Sequence, residues 1–315
     1  MLPSQLSSGD VIADRRADYA KMLAESGEPA SAAELMEQAL ELTPGWAAGW
    51  FTLATYREKT GNREGAIDAL NKVLALDASD VFGARLKLSA LGAADLPDQP
   101  PSRYVERLFD DYADRFETAL VEKLGYSVPQ KLAALIADTA GVPGHFRLAV
   151  DLGCGTGLFG PEIRARVDRL EGFDLSKGML AKAAEKGVYD HLGQADLSLR
   201  PSQSGVFDDG LAPARVDLIT AADVLMYLGN LQSVMAIVGE LAASGAVFAF
   251  SVEDAEVEEG YLLRDSLRFA HSEAYVRTLL AAHGFAVLGL ARSIIRMDAG
   301  RPVHGILFVT RKSAC

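Results

Sequence analysis

The feature that most constrains this chain is the stretch Val150-Asp151-Leu152-Gly153-Cys154-Gly155-Thr156-Gly157-Leu158-Phe159-Gly160. An apolar run ends on an acid, and glycine then takes every second position. Glycine has no Cβ, so here the backbone can adopt positive φ and pass close to a ligand. A helix is expected over Leu158–Val167, its first N–H groups turned toward an anionic group. Asp151 at the strand end is a ready acceptor for a cationic one. Gly155 to Gly160 also spell the G-x-G-x-x-G dinucleotide fingerprint, and Asp174 follows at the distance of a ribose-binding acid. The glycines by themselves therefore leave an NAD-linked oxidoreductase open.

Strand-like and helical stretches alternate around this loop. Arg147–Leu152, Leu170–Phe173, Val216–Ala221 and Ala246–Ser251 read as strands, and Lys177–Lys186, Leu231–Leu241 and Ser272–His283 as helices. Two late runs, Phe285–Ile295 and Gly305–Thr310, are separated only by the turn Asp298-Ala299-Gly300-Arg301-Pro302. The alternation predicts a mostly parallel sheet covered on both faces, and the closing hairpin makes the last strand antiparallel.

The front of the chain is helical and repetitive. A shift of 34 residues aligns Ala20 with Ala54, Gly27 with Gly61, Ala32 with Ala66, Met36 with Leu70 and Leu40 with Leu74. Small residues recur where helices must approach closely, and glycine recurs at the turn. With Trp50, Leu53, Ala54, Gly61, Ala66 and Leu70 at its marked positions, this resembles the tetratricopeptide repeat (TPR). Two copies are expected over residues 13–80, closed by a helix at Val81–Leu91. Asp95–Ser102 holds three prolines in eight residues and reads as a linker. The expected organisation is a helical-repeat domain over 1–94, a linker over 95–103 and a second domain over 104–315, with further helices at Tyr104–Leu124 and Pro129–Thr139.

Two more acids follow the glycine loop. Gly172-Phe173-Asp174-Leu175-Ser176 ends the second strand, and a carboxylate there can accept from both hydroxyls of a ribose. Met179, one turn on, is open between core filler and a thioether platform for an adenine face. In Gln194-Ala195-Asp196-Leu197, Asp196 can accept from an exocyclic amine while the Leu197 N–H serves a ring nitrogen. With Asp217–Leu228 these segments, in this order, resemble the motifs of class I S-adenosylmethionine (SAM)-dependent methyltransferases, over about residues 104–312. With the repeats in front, the chain is similar to bacterial TPR-containing methyltransferases, which share the segment Phe109-Asp110-Asp111-Tyr112-Ala113-Asp114-Arg115-Phe116-Glu117. The resemblance implies a Rossmann-like seven-stranded α/β sheet with an antiparallel last strand, preceded by a small all-α TPR-like domain. It also implies S-adenosyl-L-methionine as cofactor, held by Asp151, Gly153, Gly155, Gly157, Asp174, Leu175, Met179, Asp196 and Leu197.

Transfer from an activated sulfonium asks mainly for alignment and exclusion of water. A base is needed only for a protonated acceptor, and Asp223, His271 and Tyr112 are the candidates on the acceptor side. Glu253, Asp254 and Arg268 are weaker acceptor contacts, and Glu253–Glu259 reads as a solvated acidic run. The acceptor is expected to be a small molecule with an oxygen, nitrogen or carbon nucleophile. A protein methyltransferase and a non-catalytic SAM-binding adaptor stay open, as does a protein partner or self-association through the repeats. The net charge of −12, without a compensating basic cluster, argues against nucleic acid. No apolar run reaches the roughly 20 residues of a membrane helix, and the start of the chain has no apolar leader core. The two cysteines, Cys154 and Cys315, do not make a disulfide framework, and the five histidines show no metal-ligand spacing. A cytoplasmic protein without a resident metal is expected.

Overall fold

Strands that are apolar on both faces need cover on both sides, and that demand organises most of this chain. The computed structural model describes residues 6–117, 125–208, 210–298 and 300–313. The chain divides into two units, Met1–Arg107 and Leu108–Cys315. The sequence places its linker at 95–103, a few residues ahead of that division.

The first unit holds α1 (Val11–Glu25), α2 (Pro29–Leu42), α3 (Ala47–Lys59), α4 (Arg63–Leu76) and α5 (Ala84–Ala90), and most of α6 (Ser102–Asp110). α1 and α2 form one hairpin and α3 and α4 a second, with left-handed Gly27 and Gly61 at the corresponding turns. The paired positions Ala20 and Ala54, Ala32 and Ala66, and Met36 and Leu70 are all fully buried. Side-chain size at these positions sets how closely the helices pack. α5 starts three residues later than expected, because Asp80 and Gly83 both take positive φ, 51° and 72°, before the helix begins.

In the second unit the helix expected from Tyr104 stops with α6 at Asp110. A 3-10 turn follows at Ala113–Arg115, and the remainder of that expected helix, 118–124, lies outside the described residues. Then come α7 (Val128–Asp138), β1 (Phe146–Leu152), α8 (Gly160–Ile163), β2 (Val167–Asp174), α9 (Lys177–Lys186), β3 (His191–Gln194) and β4 (Val216–Ala221). The chain continues through α10 (Gln232–Leu241), β5 (Ala242–Asp254), β6 (Tyr261–Leu263), β7 (Phe269–His271), α11 (Glu273–Ala282), β8 (Phe285–Asp298) and β9 (Arg301–Lys312).

Among the described residues these strands form one nine-stranded sheet, with β3-β2-β1-β4-β5 in parallel register. β9 lies antiparallel to β5 and to β8, as the closing hairpin requires. The count exceeds the expected seven because β6 and β7 form a hairpin after β5, with β7 parallel to the end of β5 at Glu253 and Asp254. Glu253 is therefore a buried strand residue, not the start of a solvated acidic loop. The pleat sends Val150, Leu152, Ile219 and Phe250 to a core under α10 and α11, and Ala149, Leu218 and Ala249 to a core under α7 and α8.

α5 supplies a stability test. The buried Asp80 carboxylate accepts from the first-turn N–H groups of Ala84 at 2.6 Å and Arg85 at 3.0 Å. Asp80→Ala should cost about 2 kcal/mol, the upper range for a lost helix cap. Asp80→Asn, which keeps an acceptor and tolerates positive φ, should lose less than half of that. Urea midpoints at unchanged m-value measure both.

Candidate functional site

A cleft opens at the carboxyl end of the parallel strands of the second unit, walled by the glycine loop and by Asp151, Asp174 and Asp223. The loop is tied to the next strand by its own backbone. The Phe173 carbonyl accepts from the N–H groups of Gly153 at 2.7 Å and Cys154 at 3.0 Å. Asp174 Oδ2 accepts from Gly155 N–H at 2.9 Å, and its Oδ1 from Ser176 N–H at 2.9 Å.

The glycines have different tasks. Gly153 (φ +66°) has no room for a Cβ, which would lie 2.3 Å from Val224 Cγ2. Gly155 (φ +55°) meets nothing within 4 Å, so its missing side chain leaves the cleft open. Gly157, Gly160 and Gly172 instead form a slot for one ring: a Cβ on each would come within 2.9 Å of Tyr189. From that slot the Tyr189 hydroxyl donates to Asp151 Oδ2 at 2.8 Å. The last two glycines of the fingerprint thus seat a tyrosine. α8 corrects the expected helix over Leu158–Val167. It is four residues long, because Val167 must already pair with Phe146 as β2 begins. One turn of helix carries little macrodipole, so no anion site rests on it.

Asp151 is almost fully buried and faces Thr220, its register partner on β4, whose Oγ1 donates to Oδ1 at 2.8 Å. Burial raises the Asp151 carboxyl to about 6 against these two donors. Asp174 is likewise raised to about 6, chiefly by burial and against its backbone donors. Asp151 accepts one described hydrogen bond on each oxygen, and Asp174 receives the Leu175 backbone N–H besides those of Gly155 and Ser176, so lone-pair capacity is left on each carboxylate. Asp151 can still receive an ammonium and Asp174 two hydroxyls, so the donor chemistry of a methionyl-adenosyl ligand fits this wall.

The residues expected to meet an adenine stand outside the cleft lining. Met179 is fully buried under the cap of α9 and does not line the cleft. Asp196 accepts from the N–H and hydroxyl of Ser198 at 2.9 and 2.5 Å, bracing its own turn, and Leu197 is buried. Leu175 is half-buried, and its carbonyl accepts from Gln194 Nε2 at 2.9 Å. None of these, nor Gly157, is in the cleft lining.

On the acceptor side His271 is corrected outright. It is fully buried on β7, its Nε2 is 2.9 Å from the Gly229 carbonyl, and burial lowers its pKa to about 4. Its ring faces a backbone carbonyl and is not among the cleft-lining residues. Tyr112 is also off the lining. It packs edge-on against Phe116, ring centroids 5.7 Å apart, while Phe116 and Phe109 themselves reach the cleft. This aromatic segment is strapped to α9. Asp110 Oδ1 accepts from Ser176 Oγ at 2.5 Å and Gly178 N–H at 3.1 Å, Asp114 pairs with Lys182 at 3.0 Å, and Glu117 pairs with Lys186.

Asp223 does line the cleft, in a left-handed conformation (φ +57°) that side chains rarely adopt. Arg296 Nη1 donates to both of its oxygens, at 3.0 and 3.1 Å. The other Arg296 amine, Nη2, donates to buried Glu253, which also faces Arg264 Nε at 3.5 Å. Burial raises the Asp223 carboxyl, with Arg296 opposing it. Sequence reasoning missed Arg296, because the apolar run reads as ending at Ile295 while β8 continues to Asp298. It also missed Tyr126, which lines the same wall. Among the described residues no group of His, Cys, Asp and Glu is arranged to hold a metal ion.

Residues 150–248 match the family model described as a methyltransferase domain. Human methyltransferase-like protein 27 is 32% identical over 123 residues, 38% of this chain and 47% of that protein. The chain thus spans about half the length of this curated relative. The fold is also that of the [4+2]-cyclase SpnF, 16% identical over 70% of this chain and 99% of that one at a TM-score of 0.54. The N-methyltransferase NodS from Bradyrhizobium japonicum WM9, solved with S-adenosyl-l-homocysteine, is 15% identical over 66% and 97% at a TM-score of 0.50. At such identities the likeness is one of fold. Residues 150–248 of the second unit thus match a methyltransferase domain, and the second unit has the fold of the two solved structures.

The tyrosine slot can be tested by coupling. Gly160→Ala should cost about 1–3 kcal/mol through overpacking against Tyr189. In a Tyr189→Ala background the same change should cost less but not vanish, because Val188 Cγ2, also 2.9 Å from a Cβ at that position, remains. A double-mutant cycle in urea reads the difference.

Proposed function

We propose that the chain is an S-adenosylmethionine-dependent methyltransferase that acts on a small molecule. The observation that carries this is the pairing of Asp151 and Asp174 on either side of the open Gly155, with acceptor capacity left on each carboxylate. Asp151 would hold the methionyl ammonium, Asp174 the ribose hydroxyls, and the loop backbone at Gly153 and Gly155 the chain between them. Asp196 and Leu197 keep the adenine role that the resemblance implies, reached by a rearrangement of the turn at Ser198.

When bound, S-adenosylmethionine would supply an activated methyl group on its sulfonium, to be displaced as neutral thioether by the lone pair of the acceptor. The chain's own part is alignment and shelter. Phe109 packs edge-on against Tyr227, centroids 4.8 Å apart, and with Phe116 forms an aromatic cover that excludes water. Asp223 is the candidate to orient, and where required take, the acceptor proton on Oδ1 or Oδ2. Arg296 fixes that carboxylate rigidly, which favours an oriented acceptor over a mobile base. The front unit is read as a TPR-like hairpin pair offering a surface for a protein partner or a second copy.

Incubation of the protein with methyl-labelled S-adenosylmethionine and small-molecule extracts should yield a labelled product below about 1 kDa. Label confined to protein, or none, would contradict the reading. Asp174→Ala should weaken S-adenosylhomocysteine binding by about 1–3 kcal/mol, through hydroxyls left unpaired, as calorimetry would show.

The pH dependence follows from burial. With Asp151 and Asp174 raised to about 6, the contribution of each carboxyl to stability is present below the ordinary carboxylate pKa and lost as pH rises through 6. Ligand binding runs the other way, because an ammonium and two hydroxyls prefer the ionised carboxylates. Affinity for S-adenosylhomocysteine should therefore fall below pH 6, by up to about tenfold per carboxylate per pH unit. Asp151→Asn should make the fall shallower.

A further inference from the structure

The acceptor end of the cleft carries two guanidinium groups, Arg268 and Arg296, beside a single lining carboxylate, Asp223. Buried Glu253 lies behind them and acts on both guanidiniums, so the wall carries paired charges and not a bare positive patch. Both Arg296 terminal amines are spent, one on Asp223 and one on Glu253, and the Asp223 carboxylate is in turn held by Arg296 from both oxygens. Arg268 is differently placed. Its Nη1 donates to Asp298 Oδ2 at 2.9 Å, on a side chain 41% exposed at the edge of the hairpin between β8 and β9. Asp298 is a partly screened counter-ion, and Glu253 acts on Arg268 without a hydrogen bond to it, so the guanidinium keeps donors for a ligand. A hydrogen bond to the Tyr227 side chain supports the same guanidinium from within the site. Arginine presents five N–H donors in a planar fork, and Asp298 and Tyr227 do not exhaust them. In the same wall Arg296 Nε is buried without a hydrogen-bond partner, a donor that lacks an acceptor.

We propose that the methyl acceptor is an organic acid whose carboxylate is received by Arg268. This deepens the methyltransferase reading and rests on it. A guanidinium fork matches a carboxylate in a bidentate manner, and the exchange of solvent for a charge-assisted pair is strongest in a partly enclosed site. A protonated amine would instead set a further cation beside two guanidiniums and the incoming sulfonium, with the one lining carboxylate on that side already engaged. The aromatic rings of Phe109 and Tyr227 suit an apolar body attached to the acid. Arg268 is thus a specificity-determining residue, and Arg296 a positioning residue for Asp223.

The test uses the full chain saturated with S-adenosylhomocysteine and titrated with three probes of one shape: benzoate, benzamide and benzylamine. Benzoate should bind at least tenfold tighter than the other two. Arg268→Gln should erase that preference while leaving S-adenosylhomocysteine affinity within twofold, and Arg268→Lys should retain part of it. Equal binding of the three probes, no binding of any, or a benzoate preference that survives Arg268→Gln would overturn the proposal. Failure of S-adenosylhomocysteine itself to bind is a separate outcome, and it would bring down the cofactor reading on which the proposal stands.

Discussion

The hydroxyl of Tyr189 on the buried Asp151 carboxylate is the contact on which this wall of the cleft depends. It can form because Gly157, Gly160 and Gly172 each omit the one atom that would collide with the ring. Thr220 completes the support from the neighbouring strand. A carboxylate kept this deep costs several kcal/mol unless hydrogen-bonded, and two hydroxyl donors lower that cost without cancelling the charge. What remains is an acid raised to about 6 and poised for a cationic partner. Asp174 works in parallel, because its backbone donors, Gly155 and Ser176, belong to the loop and to the cap of α9. One side chain thus holds both walls of the cleft at a fixed spacing.

The other end of the cleft is built on different physics. Asp223, Arg296 and Glu253 form a buried ionic row, extended by Arg264. Such rows seldom add stability over a well-packed apolar core, and they are retained where orientation matters. Here the row fixes a carboxylate in an uncommon backbone conformation at the mouth of β4. Strain of that kind, in a cleft wall, is what a site demanding one acceptor geometry would keep. Arg268 stands beside the row, paired with half-exposed Asp298 and within reach of the buried Glu253 charge.

Much of this was legible from the chain. Asp151, Gly153, Gly155 and Asp174 announce themselves because a turn between two parallel strands restricts backbone conformation, and restricted backbone restricts residue type. The alternation of strands and helices and the 34-residue echo of small residues are local signals of the same kind. Tyr189 and Arg296 are not legible in that way, for their partners lie up to 73 residues distant and no spacing marks them. Met179 and Asp196 have the right neighbours in sequence, yet periodicity does not say which way a side chain turns, and here they turn to the core and to a local brace. His271 shows the same limit: a histidine near a strand end can look available while its ring is sealed under Tyr261 and Tyr275.

The most direct measurement is a crystal structure of the full chain with S-adenosylhomocysteine. The account predicts both ribose hydroxyls within hydrogen-bonding distance of the Asp174 carboxylate and the ammonium within reach of Asp151, with the Tyr189 hydroxyl still on Asp151. A ligand seated elsewhere, or one whose ribose and ammonium ignore these two acids, would contradict it.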